Sequence, residues 1–211
     1  MKKIVIIVSM LVLITGCTNI NKLNYSDIVN NISTSSPKNN VYRTGYSYYL
    51  PRGMQVSDST MYNEVIEDAH SKYYLYVDIV SYDKKIEKEY QINNKAIYSS
   101  KISFEDKFGY VEINLLKNDK YLVEIMYNYA KIEVIVDKRY CNEAMLSIIN
   151  ILKSVEYNDS IIANLMGDDI LNFSEEEFNI FNTKGSESNY LTIDNNYKEE
   201  EEKIPDPDLI N

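Results

Sequence analysis

Three consecutive runs of alternating apolar and polar residues constrain the fold of this chain more than any other feature. Apolar residues occupy every second position in Gly109–Leu116, Tyr121–Met126 and Ile132–Val136. Strict alternation is typical of β-strands that bury one face, and the connections near Asn118 and Asn128 are short enough to join antiparallel neighbours. The three runs therefore predict an antiparallel meander.

The hydrophobic period changes after the meander. In Arg139–Val155 the apolar residues recur every three or four positions, which predicts one amphipathic helix. Weaker strand patterns precede the meander at Tyr42–Leu50, Tyr62–Glu67, Tyr73–Tyr82 and Lys95–Phe104. We therefore predict an α+β fold in which a C-terminal amphipathic helix packs on an antiparallel sheet.

The N-terminus has the layout of an export signal. Two lysines precede the apolar run Ile4–Ile14, which is about half as long as a membrane-spanning helix. The next residues, Ile14-Thr15-Gly16-Cys17, resemble the lipobox of bacterial lipoproteins. The resemblance implies that residues 1–16 are a signal peptide and that Cys17 carries a diacylglycerol, which holds the protein on the extracytoplasmic face of the cell membrane. The alternative is an ordinary signal peptide that is cleaved nearby.

Charge divides the remaining chain into two parts. Residues 18–155 contain 17 acidic and 17 basic residues, whereas residues 156–211 contain 15 acidic and 3 basic residues. The acidic runs and few aliphatic residues predict a largely disordered tail over residues 158–211. Polar, Asn/Ser-rich residues 17–40 are predicted to form a lipidated tether with a short helix at Ser26–Ile32. The balanced charge of the middle region predicts no basic face for nucleic acid or anionic lipid.

Residues 41–157 resemble the family of PsbP, Mog1 and DcrB-like domains. The matching features are the strand and Pro-x-Gly turn of Tyr46–Met54 and the helix and closing strand of Ala144–Tyr157. Met54 stands where the family usually has a tryptophan. The resemblance implies an α+β domain that works as a binding or assembly module, and it implies no catalytic residues.

Few side chains are suited to catalysis. Cys141 has no partner for an intramolecular disulfide once Cys17 is lipidated, and its position at the start of a helix predicts a buried thiol. The single histidine, His70, is predicted to lie in an exposed turn. Neither a metal-ligand spacing nor a cofactor motif is found in the sequence.

Tyrosines offer a second kind of site. Tyr74, Tyr76, Tyr110 and Tyr127 are predicted to form an aromatic strip on the polar face of the sheet, because exposed tyrosine is favoured at interfaces. The alternative is that a helix or the tail covers this face.

Together these features predict a membrane-anchored, extracytoplasmic lipoprotein that acts as a non-catalytic binding or assembly module of the cell envelope. Its partners would be the membrane, through Cys17, and an envelope protein or cell-wall component. A different class of function stays open, namely a cell-envelope hydrolase whose carboxylate or serine site leaves no sequence motif. A cleft with converging carboxylates would favour the hydrolase, and a flat aromatic face would favour binding.

Overall fold

The computed structural model describes residues 20–167. Cys17, the rest of the lipobox, and the part of the predicted acidic tail beyond Gly167 lie outside the described residues. Among the described residues, no helix has the length and apolar character needed to cross a membrane.

A seven-stranded antiparallel sheet organises the described chain. Its strands are β3 (Gln55–Ser59), β4 (Asn63–Glu67), β5 (Lys72–Val77), β6 (Tyr98–Phe104), β7 (Lys107–Leu115), β8 (Lys120–Tyr127) and β9 (Ala130–Asp137). They lie in the order β3-β4-β5-β9-β8-β7-β6, so the predicted meander forms one half of the sheet. A second, three-stranded sheet consists of β1 (Val41–Tyr42), β2 (Tyr46–Tyr48) and β10 (Glu156–Tyr157).

The turn between β8 and β9 fixes the register of the meander. Asn128 and Tyr129 both have positive φ, at 50° and 62°, as the two central residues of a type I′ turn require. This two-residue turn pairs Tyr127 with Ala130 and continues the ladder to Lys120 and Asp137. The register therefore follows directly from local turn chemistry.

The observed strands differ from the predicted ones in three places. The strand predicted at Tyr42–Leu50 is divided into β1 and β2. The strand predicted at Tyr73–Tyr82 ends at Val77, and a short helix, α2 (Ile79–Asp83), follows it. Asp78 explains the change, because its carboxylate accepts a hydrogen bond from the Ser81 amide at 2.9 Å and so caps the helix. The polar strand β3 was not predicted, because it lacks an apolar alternation.

The predicted helix is present as α3 (Cys141–Lys153) and closes the core. It lies against β8 and β9. Its fully buried side chains include Met145 and Ile148, which face a sheet surface that contains Val123, Ile125 and Ile132. The change from period two to period 3.6 therefore marks two apolar faces that cover each other, and the predicted α+β fold is confirmed.

A buried carboxylate joins the two sheets. The side chain of Glu64 on β4 is 0% exposed and lies 2.8 Å from the Arg43 guanidinium. It also accepts hydrogen bonds of 2.8 Å from the hydroxyls of Tyr46 and Tyr48 on β2. Every strong acceptor position of this carboxylate is thus used within the protein, which offsets the cost of burying its charge.

Residues 20–40 pack on the domain rather than extending away from it. The helix α1 (Tyr25–Val29) lies against α3, and its Ile28 and Val29 are buried. Asn142 donates hydrogen bonds of 2.9 Å to the carbonyls of Ile20 and Leu23. The described part of the predicted tether is therefore part of the packed structure.

The packed structure also continues past Tyr157. The helix α4 (Asp159–Gly167) follows β10 and lies beside α2. Its Ile162 is 1% exposed, and Asn158 at its start donates a backbone hydrogen bond of 2.9 Å to Gly45. The described fold thus extends on both sides of the predicted range 41–157.

Candidate functional site: the polar face of the sheet

The face of the large sheet that points away from α3 carries three glutamates side by side. Glu112 on β7 pairs directly with Glu124 on β8, and Glu124 pairs with Glu133 on β9. We call these residues the glutamate row. Like charges directly opposite each other destabilise a sheet, and natural proteins break such local rules chiefly at functional or strained sites. The row is therefore the first candidate site.

Tyrosines and one lysine surround the row. Tyr74 on β5 pairs with Glu133, and Tyr76 pairs with Lys131. On the other side, Met126 pairs with Tyr110. The face therefore alternates carboxylates with aromatic rings and contains a single amine at its centre.

Lys131 lies between two members of the row. Its Nζ is 2.7 Å from Glu133 Oε1 and 3.9 Å from Glu124 Oε2. Lys131 and Glu133 are only 3% and 4% exposed, so this ion pair is largely shielded from water. Tyr110 donates its hydroxyl hydrogen to the Glu124 carboxylate.

The carboxyl of Glu133 has a higher pKa than the carboxyl of an ordinary glutamate. Burial raises its pKa, the charge of Lys131 opposes this, and a hydrogen bond to the Glu124 carboxyl raises it again, so that the pKa reaches about 7. Glu133 therefore holds its proton up to near neutral pH.

Glu112 has the opposite environment. Burial alone would raise its pKa, but hydrogen bonds from Tyr90, Asn114 and Asn93 together hold the pKa below the ordinary value. The hydrogen bonds from the side-chain amides of Asn93 and Asn114 are each 2.8 Å long. Glu112 is thus a fixed carboxylate at one end of the row, while Glu133 is a proton-holding group at the other.

The segment between α2 and β6 covers part of this face. The Tyr90 ring stacks on the Tyr110 ring with centroids 4.1 Å apart and planes 1° from parallel. Tyr90 also donates its hydroxyl hydrogen to Glu112. Tyr110 is consequently buried, whereas Tyr74, Tyr76 and Glu124 remain half-buried. The accessible part of the face is centred on these three side chains.

The structure places three of the four tyrosines of the predicted strip on the polar face. Tyr74, Tyr76 and Tyr110 share the polar face, but Tyr127 lies on the opposite face, where it pairs with Gly109 and Ala130. Tyr127 continues the alternate positions of Val123 and Ile125, which point into the core, and it is 2% exposed. The predicted placement of Tyr127 on the polar face was wrong, because the alternation of β8 puts Tyr127 on the same face as Val123 and Ile125.

The glutamate row was not predicted, although the sequence contains a signal for it. Glu112, Glu124 and Glu133 each stand among the polar positions of an alternating run. Their alignment becomes visible only when the two-residue turn at Asn128 and Tyr129 sets the register of β8 on β9. Aligning β8 and β9 on that turn places Glu124 opposite Glu133, but Glu112 also needs the register of β7 on β8, which the turn at Lys117–Asp119 sets.

The other candidate residues give no catalytic arrangement. His70 is exposed in the turn between β4 and β5, as predicted, and its ring stacks on Tyr140 at 4.1 Å. Cys141 is buried, also as predicted, and burial raises the pKa of its thiol to about 11 despite a hydrogen bond with Tyr25. Within residues 20–167, no group of three His, Cys, Asp or Glu side chains has an arrangement that would hold a metal ion.

No family model, curated protein or solved structure matches this chain. The resemblance of residues 41–157 to PsbP, Mog1 and DcrB-like domains therefore stays a prediction. One element that it implies is present, since the short strand β10 follows α3 and pairs with β2.

Proposed function

We propose that this protein is a lipid-anchored binding module of the cell envelope that recognises a partner through the polar face of its large sheet. The anchor is the diacylglycerol on Cys17 that the lipobox predicts. The observation that carries the proposal is the glutamate row beside half-buried tyrosines.

The chemistry of this face indicates the kind of partner. The three carboxylates of the row and the Lys131 ammonium leave an excess of negative charge, even when Glu133 holds a proton. The exposed Lys101, which pairs with Tyr110, adds a cation at the β6 side of the face, away from Tyr74 and Tyr76. Aromatic rings beside carboxylates attract lysine and arginine side chains through cation–π and charge-assisted hydrogen bonds. We therefore expect a basic segment of another envelope protein to dock over Tyr74, Tyr76 and Glu124.

The geometry favours binding over the alternative of glycoside hydrolysis. Glycosidases hold their two carboxyls about 5 to 9.5 Å apart, so that a sugar and a water fit between them. Glu124 and Glu133 instead lie directly opposite each other on β8 and β9 and interact with each other, and the Lys131 ammonium forms an ion pair of 2.7 Å with the Glu133 carboxylate. A pair in which one carboxyl is bound by an ammonium differs from the open carboxyl pair of a glycosidase.

Anchoring is tested by metabolic labelling. Cells that express the wild-type protein should incorporate labelled palmitate into it, and Cys17→Ala should abolish the label and release the protein from the membrane fraction. Equal labelling of both forms would contradict the anchor. Cys141→Ser is the matched control, because Cys141 is buried and its loss should leave the label unchanged.

The binding face is tested by site-specific photo-cross-linking in the same cells. A cross-linking residue at Tyr76 should capture a partner, and one at Tyr42, which is 67% exposed on the small sheet, should not. Glu124→Gln should abolish the capture, and Glu87→Gln, at an exposed glutamate outside the row, should not. Capture from both positions, or capture that survives Glu124→Gln, would contradict the proposed face.

The hydrolase has its own readout. Wild-type protein that releases reducing sugars from purified cell walls, with the release lost in Glu124→Gln, would replace the binding proposal with a catalytic one.

A further inference from the structure

The N-terminal segment reaches the molecule at one defined end of the large sheet. Asn142 holds the carbonyls of Ile20 and Leu23 beside the start of α3. Residues 17–20 can span at most about 10 Å. An acyl chain on Cys17 would therefore hold this end of the sheet directly against the membrane, with no tether to lift it away.

Basic side chains gather at this same end. Lys117 and Lys120 lie in and after the turn between β7 and β8, and Lys120 pairs with Asp137 at the end of β9. Lys138 and Arg139 follow Asp137, and Arg139, Asn142 and Tyr25 line one open groove together. The exposed cations of this end, which we call the basic end, are Lys22, Lys117, Lys120, Lys138 and Arg139.

Acidic neighbours only partly offset these charges. Asp119 and Asp137 line the groove with the cations, and Asp137 lies 3.6 Å from Arg139 in an exposed ion pair. Exposed Glu143 and Asp27 lie in the first turns of α3 and α1 beside them. An exposed apolar residue accompanies the cations, because Leu115 at the end of β7 is 61% exposed. Cations around an exposed leucine match the composition of surfaces that bind membrane interfaces.

The opposite end of the sheet carries charges of both signs, with carboxylates in excess. Carboxylates surround the turn between β8 and β9. The charges of Glu105 and Asp106 help to raise the pKa of Tyr127, and the charge of Glu87 helps to raise the pKa of Tyr129. Asp159 accepts a hydrogen bond of 2.7 Å from Tyr82 at this end. Lys85, Lys88 and Lys107 also lie at this far end, so the two ends differ in which sign of charge is in excess.

We infer that the basic end binds the headgroups of anionic phospholipids and fixes the orientation of the anchored protein on the membrane. The inference rests on the proposed anchor at Cys17. Each lysine or arginine near an anionic leaflet strengthens binding by about fivefold, and the attraction acts within about one Debye length of 8 to 10 Å. The short reach from Cys17 to Ile20 keeps the basic end within that distance. This local surface was not predicted from the balanced overall charge, because balance along the chain says nothing about which residues meet at one end of a sheet.

Vesicle binding followed by amide hydrogen exchange distinguishes the contribution of the anchor to membrane binding from that of the basic end. Protein purified from the membrane fraction is reconstituted with vesicles of phosphatidylcholine alone or with one quarter phosphatidylglycerol. Flotation with the uncharged vesicles reports the anchor. The basic end is read from amide hydrogen exchange at residues 115–120 and 137–142, which should slow several-fold only with phosphatidylglycerol and should recover in 0.5 M salt.

Two charge-matched double variants complete the experiment. Lys120→Glu with Lys138→Glu should abolish the slowing, whereas Lys84→Glu with Lys101→Glu, at exposed lysines away from the basic end, should retain it. Equal exchange in both kinds of vesicle, or protection that survives the first double variant, would overturn the inference while leaving the anchor intact. Protein that fails to float with phosphatidylcholine would refute the anchor instead, and salt-sensitive binding to phosphatidylglycerol would still decide whether the basic end exists.

Discussion

Glu133 ties the chemistry of the polar face to the stability of the fold. Its carboxyl holds a proton up to a pKa of about 7 because it is buried and hydrogen-bonded to the Glu124 carboxyl, against the opposing charge of Lys131. An unfolded glutamate releases that proton near 4.5. Between these values unfolding releases a proton, so the free energy of unfolding contributed by Glu133 is fully present at low pH and falls as pH rises towards 7.

The first prediction is that Glu133→Gln removes this pH dependence. Relative to the wild type, the variant should gain up to about 3 kcal/mol of stability between pH 4.5 and pH 7.5. Chemical denaturation at a series of pH values measures the difference.

Glu112→Gln is the control of opposite sign. Hydrogen bonds hold the pKa of Glu112 below its ordinary value despite burial, so its contribution is present above about pH 4.5 and is lost as pH falls below the folded pKa. Glu112→Gln should therefore lose stability relative to the wild type as pH rises through the acid range. Parallel profiles for the two variants would show that the glutamates of the row are equivalent, contrary to their different partners.

At the scale of single elements, the turn between β1 and β2 depends on a glycine that also contacts α4. Gly45 has φ of +91°, and a methyl group added there would lie 3.2 Å from Ile162 Cγ1 and 3.4 Å from Ile79 Cδ1. Gly53 has a similar φ of +86°, but an added methyl group would meet nothing within 4 Å. Alanine substitutions at the two glycines therefore distinguish the cost of backbone strain from the cost of a steric clash.

We predict that Gly45→Ala destabilises the protein more than Gly53→Ala. Positive φ should cost each variant about 1 to 2 kcal/mol, and only Gly45→Ala should also displace α4. When it is measured in an Ile162→Ala background, Gly45→Ala should cost less than it does in the wild type, because the nearest clashing atom is absent. Equal losses in the two single variants, measured by chemical denaturation, would mean that α4 does not pack on this turn.

The apolar stripe of α3 gives the third prediction. Ile148 is 0% exposed at the centre of the helix, so Ile148→Ala should lower the free energy of unfolding by about 2 to 5 kcal/mol through lost burial and a cavity. Ile161→Ala makes the same change at a side chain that is 38% exposed on α4 and should cost about 0.5 kcal/mol or less. Similar midpoints for the two variants in denaturant would contradict the assignment of α3 as the cover of the core.

Elements whose pattern reflects burial were predictable, and elements fixed by single polar contacts were not. The meander and α3 follow from apolar periods in Gly109–Leu116 and Arg139–Val155. The end of β5 depends on one hydrogen bond from Ser81 to Asp78, which leaves no periodic signal. The small sheet depends on a glutamate buried among two tyrosines and an arginine, and only the folded chain brings these groups together.

The candidate site divides in the same way. The polar face was predicted from alternation, and with it the positions of Tyr74 and Tyr76. The glutamate row needed the relative register of three strands, and the basic end needed the position of the N-terminal segment on α3. Both are long-range arrangements, which local sequence patterns do not specify.

For the whole molecule, the attachment of residues 20–40 to α3 would decide how the domain stands relative to the proposed anchor. Asn142 holds the start of this segment, and Lys153 donates a hydrogen bond of 2.7 Å to Thr34 near its end. Ser36 donates a further hydrogen bond of 3.0 Å to the Lys153 carbonyl. The segment is therefore bound along the length of α3, and with the proposed lipid on Cys17 it would set the orientation of the sheet on the membrane.

The last prediction is that α1 unfolds only together with the domain. A helix of five residues has no stability of its own in water, so slow amide exchange in Tyr25–Val29 can come only from docking on α3. Ile28 is 0% exposed in this contact. Ile28→Ala should therefore speed exchange throughout α1 and lower the free energy of unfolding of the whole domain by about 2 to 5 kcal/mol. Ser26→Ala changes an exposed residue of the same helix and should leave both quantities nearly unchanged. Exchange in wild-type α1 at the rate of an unstructured peptide would restore residues 17–40 to the role of a tether, and it would remove the constraint that holds the basic end against the membrane.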